Sequence, residues 1–259
     1  MDFRKADMMK KLITAIAMAG AASAFAIQGS VSTETETFSG EVKWHARDKK
    51  YIIEKGKVTK EFALADVTGL DIPKPQGFDK AVSQVESGSG TAAIPVLSKI
   101  VTDYRMLQWD KPAGRYLALA YIAANQPQKA LSACQPIIAE DKAAAYSGDL
   151  AAAYWQALLK LGKTDQLEGL LKKAAASGDR AASAAALVMR GDIIVNASGD
   201  RPDELKKSLR DGYLRVVLMY QEPECRRERV EAMMKAAAVF EKLGQVARAE
   251  KLRAQAKGA

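Results

Sequence analysis

The chain has 259 residues, enough for one full hydrophobic core or two modest ones. Apolar residues make up 48% of it and aromatics only 7%, so its Ala-rich, Gly-punctuated runs favour packed amphipathic helices over a β-sandwich. The net charge of +8 comes from 39 Lys and Arg interspersed with 31 Asp and Glu, which argues against a nucleic-acid partner.

Residues 1–26 read as a cleaved signal peptide. Arg4, Lys5, Lys10 and Lys11 make a positive start, Leu12 to Phe25 an apolar run, and Ala24-Phe25-Ala26 a small-x-small cleavage site. The run falls short of the 20 or so residues a membrane span needs, and no Cys follows it to take a lipid. A periplasmic or secreted location is therefore expected.

Residues 27–37, rich in Ser, Thr and Glu, read as a flexible leader. Residues 38–73 alternate apolar and polar and predict a small antiparallel β module of three or four strands. Val42, Trp44, Tyr51, Ile53, Phe62 and Leu64 should share its core, with Val67, Leu70 and Ile72 in a last strand. Pro73-Lys-Pro-Gln-Gly77 marks a boundary.

Residues 77–257 predict paired helices near 78–86 and 91–105, 112–124 and 127–139, 147–161 and 164–176, 179–197 and 202–220, and 223–243 and 245–256. Pro136 should kink or shorten its helix. One phrase recurs through the region: a residue that tolerates positive φ, then five residues later a small or slim one. It reads Gly88 to Ala93, Asn125 to Ala130, Gly162 to Leu167 and Gly244 to Ala249. Near Leu209 the Asn196-Ala-Ser-Gly-Asp-Arg-Pro-Asp203 stretch carries the turn instead. The first helices add residue pairs three apart: Ala118 with Tyr121, Trp155 with Leu158, and Ala237 with Phe240. The last helix, Ala247-Arg-Ala-Glu-Lys-Leu-Arg-Ala-Gln-Ala-Lys257, has few apolar residues beyond alanine and suits a polar cap.

This pattern resembles the tetratricopeptide repeat, with its Leu-Gly-x-x-Tyr run in one helix and Ala-x-x-x-Phe run in the next. The anchors Ala93, Ala130, Leu167, Leu209 and Ala249 are 37, 37, 42 and 40 residues apart, longer than the family's period of about 34. The resemblance implies a mainly α fold, a TPR-like α-solenoid of about five helical hairpins behind the β module. It also implies a concave face lined by first helices, the family's usual place for peptide contacts. Aligning the hairpins puts Arg115, Leu119, Ile122, Gln156, Lys160, Asp192, Asn196, Met234 and Lys242 there.

Chemistry-bearing combinations are sparse. His45 is the only histidine, and with Cys134 and Cys225 placed in separate hairpins neither a zinc site nor a disulfide is expected. Asp165 with Glu168, and Asp200 with Asp203 and Glu204, stand at helix starts, where acids complement the helix dipole. Gly88-Ser-Gly90 lacks the rest of a phosphate loop. Tyr213 to Tyr220, the most apolar run of the mature chain, reads as a buried second helix, with an exposed docking strip as the alternative.

The expected function is that of a non-enzymatic exported scaffold or adaptor, without cofactor, for a protein or peptide of the cell envelope. The alternative is binding to an anionic glycan or lipid surface through Lys206, Lys207 and Arg210 with Arg226, Arg227 and Arg229. Oligomeric state and partner identity do not follow from these residues.

Overall fold

The computed structural model describes residues 27–258. The signal peptide expected over 1–26 lies outside them. The chain is mainly helical with one antiparallel sheet, and it divides after Pro73 into two compact units.

The first unit is a five-stranded sheet: β1 (Ile27–Thr33), β2 (Thr37–His45), β3 (Lys50–Lys55), β4 (Val58–Ala63) and β5 (Val67–Asp71), in the order β4-β3-β2-β1-β5. The flexible leader expected over 27–37 is instead an interior strand and its turn. Ile27, Gly29 and Val31 alternate with Gln28 and Ser30, and β1 pairs with both β2 and β5. Glu34 to Glu36 form the turn, where the Thr33 hydroxyl accepts the N–H groups of Thr35 and Glu36 and the Thr33 N–H reaches the Glu36 carbonyl at 2.8 Å.

Register puts Ile27 opposite Val42, Val42 opposite Ile53, and Tyr51 opposite Phe62, so all five share one face and are buried. Ile72 joins them. Trp44 sits at the margin, half-buried, its ring 4.9 Å from that of Tyr51. Leu64, expected in this core, is exposed because the alternation breaks at a 3₁₀ turn over Leu64–Asp66. Gly29 and Gly40 face each other on the inner side. A Cβ on Gly40 would stand 2.4 Å from the Glu54 carbonyl oxygen, so the sheet needs a bare backbone to coil there.

The second unit holds α1 (Phe78–Glu86), α2 (Ile94–Asp103), α3 (Asp110–Ala123), α4 (Pro127–Glu140), α5 (Ala151–Lys160), α6 (Thr164–Ala176), α7 (Arg180–Ser198), α8 (Pro202–Ser208), α9 (Leu214–Met219), α10 (Arg226–Lys242) and α11 (Val246–Gly258). Except for α8 and α9, helices adjacent in sequence pack together, and α1, α3, α5, α7 and α10 also touch in that succession. None among the described residues is long and apolar enough to cross a membrane.

The recurring turn has one geometry at four places. Gly88, Asn125, Gly162 and Gly244 all have positive φ, between 56° and 84°. At each, the following N–H bonds back five residues: Ser89 to Gln84, Gln126 to Tyr121, Lys163 to Leu158 and Gln245 to Phe240, at 2.8–2.9 Å. This closure satisfies the last free carbonyls of the outgoing helix and aims the next one back along it. The residues five beyond, Ala93, Ala130, Leu167 and Ala249, are wholly buried.

The α7–α8 turn differs, with Gly199 and Asp200 both at positive φ. Beyond α8 the single helix expected over 202–220 is broken by a π turn over Leu209–Tyr213. Gly212 passes Gly191 so closely that a Cβ on it would lie 2.8 Å from the Gly191 Cα. Pro136 neither ends nor shortens α4, which runs four residues beyond it. Leu131, Cys134 and Ile137 are buried on its inner face, and that packing outweighs one missing hydrogen bond.

Three clusters of buried side chains follow the chain: one around Phe78, Leu97, Ile100 and Leu117, one around Ile137, Trp155, Leu158 and Leu171, and one around Leu205, Tyr213, Val216 and Phe240. Trp155 is fully buried and its indole N–H donates to the Ala145 carbonyl at 2.8 Å. Helix α7 is a shared wall, sending Ala182, Ala186 and Met189 into the middle cluster and Ala184, Leu187 and Val188 into the last.

Candidate functional site

The residues aligned on the first helices do not form one surface of free side chains. Leu119 and Ile122 pack against the middle core, and the Arg115 guanidinium lies 5.0 Å from the Tyr116 ring centroid. Gln156 is half-buried, while Lys160, Asn196 and Met234 are exposed. Lys242 pairs with Asp200. Among the described residues no hydrogen bond or ion pair joins any two of the nine.

Asp192 instead belongs to an internal network. It accepts the Tyr213 hydroxyl at 2.7 Å and the Lys235 ammonium, which also meets Glu231 at 2.8 Å. Burial favours a neutral Lys235 amine, but Glu231 and Asp192 outweigh it and hold the group above the usual lysine range. Burial, then the Asp192 charge, pushes the Tyr213 phenol well up, so it stays a proton donor to Asp192. The network ties the π turn to α7 and α10.

The two basic clusters are largely matched within the fold. Lys206 meets Asp203 at 3.4 Å, Lys207 meets Glu204 at 3.8 Å, and Arg210 meets Asp211 at 2.7 Å. Arg227 bridges Asp149 at 2.9 Å and the buried Glu228 at 2.7 Å. Arg229 donates to the Gln221 backbone and side-chain oxygens at 3.1 and 3.0 Å, and Arg226 is exposed. Glu228 is 3% exposed, and its Oε2 has no hydrogen-bond partner among the described residues.

Cys134 and Cys225 are buried and unbonded to each other. Burial pushes the Cys134 thiol up to about 12, which keeps it an uncharged core residue. His45 is exposed and lies 3.3 Å from Asp48. Among the described residues no group of three or more His, Cys, Asp and Glu side chains is arranged to hold a metal ion.

What the helical unit does present is a pair of grooves flanking α9. The first, about 470 Å³, lies between α6, α7 and the π turn. Leu171, Ile193 and Ile194 floor it, and Lys172, Arg190 and Arg215 stand at its edge, exposed and without a hydrogen bond or ion pair among the described residues. Lys207, Glu168 and Asp211 complete the edge, and Asp211 is held by Arg210, whose bond keeps its carboxyl below the usual range.

The second groove, about 540 Å³, lies between α9, α10 and α11. Val217, Leu218, Met233, Phe240 and Leu252 floor it. The charged residues of its lining are Arg229, Arg248 and Lys251, and the lining includes no carboxylate. Arg248 donates to Gln245 at 2.8 Å and lies 5.7 Å from the Phe240 ring centroid. Leu218 and the neighbouring Met219 are 72% and 58% exposed, so the apolar run from Tyr213 to Tyr220 is buried at Tyr213 and Val216 and open at its end.

Lys172, Arg190, Arg215, Arg248 and Lys251 were not marked by sequence reasoning, which looked for cations adjacent in the chain. Their signal is spatial: isolated bases on four helices that the fold gathers around apolar floors. No family model, curated protein or solved structure matches this chain.

Proposed function

We propose that the chain is an exported, non-enzymatic adaptor whose helical unit is a TPR-like α-solenoid of about five hairpins presenting its surface to a protein or peptide of the cell envelope. The observation that carries this reading is the shared closure at Gly88, Asn125, Gly162 and Gly244, followed each time by a buried anchor. Repeated hairpins that touch in succession expose long helical grooves, which suit extended partners better than small substrates. Export rests on the sequence pattern of residues 1–26.

The rival reading, an anionic glycan or lipid surface held by Lys206, Lys207, Arg210, Arg226, Arg227 and Arg229, draws less support. Most of those cations already face an acid or an amide oxygen of their own chain.

The test is covalent capture in intact cells. Photo-crosslinkers placed across the helical unit should trap a few discrete envelope polypeptides, and the same ones at low and high salt. Capture of none, together with sedimentation of the purified chain on cell-wall sacculi that salt abolishes, would overturn the adaptor in favour of its rival.

A further inference from the structure

We infer that the two grooves flanking α9 form one docking track for an acidic partner segment carrying spaced apolar side chains. The inference rests on the adaptor reading and supplies the chemistry of its partner.

The track lies on second helices. Helices α6, α8, α9 and α11 are the second members of their hairpins, and they contribute most of both linings. The grooves adjoin across α9, because Arg215 edges one and Leu218 floors the other. Residues three apart on a helix stand about 5–6 Å from each other at Cβ, so one short segment can cross from groove to groove.

Charge selects the occupant. Lys172, Arg190 and Arg215 on one side and Lys251 on the other make no hydrogen bond or ion pair among the described residues, while Arg229 and Arg248 donate to glutamine oxygens and form no ion pair among those residues. Against them stand Glu168 and Asp211, the latter bonded to Arg210 and within electrostatic reach of Lys207 and Arg215, so bases outnumber acids along both linings. Carboxylates on the incoming segment would meet these cations. Its apolar side chains would cover Ile193 and Ile194 in the first groove, then Leu218 and Leu252 in the second. A second copy of this chain is a poor occupant, because its own net charge is +8. Leu218, at 72% exposed, is the apolar residue with most to gain from being covered.

The experiment uses purified protein and a short fluorescent peptide with leucines at helical spacing and glutamates between them, read by anisotropy. Its counterpart has every glutamate replaced by lysine. The glutamate peptide should bind and weaken with salt, and the lysine peptide should not. The pair Arg190→Glu with Arg215→Glu, the pair Arg248→Glu with Lys251→Glu, and Leu218→Asp should each weaken binding by about tenfold or more. Lys206→Glu, outside the track, should change it by less than about twofold. All these positions are exposed, so circular dichroism should report unchanged folding.

Equal affinity for the two peptides, or track variants that bind as the parent does, would overturn the inference. So would phosphatidylglycerol vesicles binding through the same residues while the peptide does not, which would make the track a lipid surface. If the charge-reversed variants still capture the parent's crosslinked partners, the track falls and the adaptor stands. If the parent captures none, the adaptor falls first.

Discussion

Asp179 shows how one side chain can tie two hairpins together. One of its oxygens caps α7 by accepting the Ala182 N–H at 3.0 Å, and the other accepts the Ser147 hydroxyl at 2.7 Å from the turn before α5. The Ser147 bond, then the capping bond, holds its carboxyl below the ordinary value of 3.8. A depressed carboxylate contributes stability that is present above the unfolded pKa and lost as pH falls through the folded one. Asp179→Ala should therefore cost about 1 kcal/mol at neutral pH, within the usual range for a lost cap, and the cost should shrink steadily below pH 3.8. Urea unfolding of both chains across pH 3 to 7 checks it, and a gap that stayed constant across that range would refute the ionic part of the account. The residue itself was legible as the start of a helix over 179–197. Its second bond was not, because Ser147 lies thirty-two positions away and only the stacking of hairpins brings it near.

The four matched turns separate a backbone requirement from a packing one. A Cβ on Gly162 would touch nothing within 4 Å, so its φ of +67° is the whole obstacle to a side chain there. Gly169, a turn and a half into α6, is equally uncrowded but has no positive φ. The same substitution at these two sites should thus have opposite signs. Gly162→Ala should destabilise by about 1 kcal/mol through left-handed strain, while Gly169→Ala should stabilise by about 0.5–1 kcal/mol through helix propensity. Chemical denaturation of the two variants decides it; a loss at both would point to unseen crowding in the α5–α6 hairpin. This contrast also explains what was readable at the scale of elements. A positive-φ residue followed five places later by a slim one is a local demand, written into adjacent residues wherever a hairpin closes. Strand β1 makes no such demand. Its Ser and Thr become interior only because residues 37–42 and 67–71 arrive on either side, so composition alone read it as a leader. The π turn was hidden for a related reason, since it depends on the close passage of Gly212 by Gly191, twenty-one positions earlier in the chain.

At the scale of the whole molecule, stability should be graded along the helical unit, because its buried side chains fall into successive clusters that meet at shared helices. The same arrangement governs which charges are free. Lys206 and Arg210 look like a binding patch in sequence, yet they fold beside Asp203 and Asp211, while Arg190 and Arg215 look solitary and fold around an open groove. The matching acids are local, three positions from Lys206 and one from Arg210, whereas the groove around Arg190 and Arg215 exists only once α6, α7 and the π turn have come together. The clusters make a sharper claim about coupling. Leu205, 1% exposed in the last cluster, should cost about 2–5 kcal/mol when cut to alanine, as buried leucines do. In native-state hydrogen exchange that loss should appear in full at the amides of α8, α10 and α11 and fade through α7, the wall shared with the middle cluster. The amides of α1 and α2, whose buried residues lie in the first cluster, which contains no residue of α7, should keep their protection. A uniform drop across all these helices would mean that the unit unfolds as one cooperative block, and the nearest-neighbour description of its energetics would have to be given up.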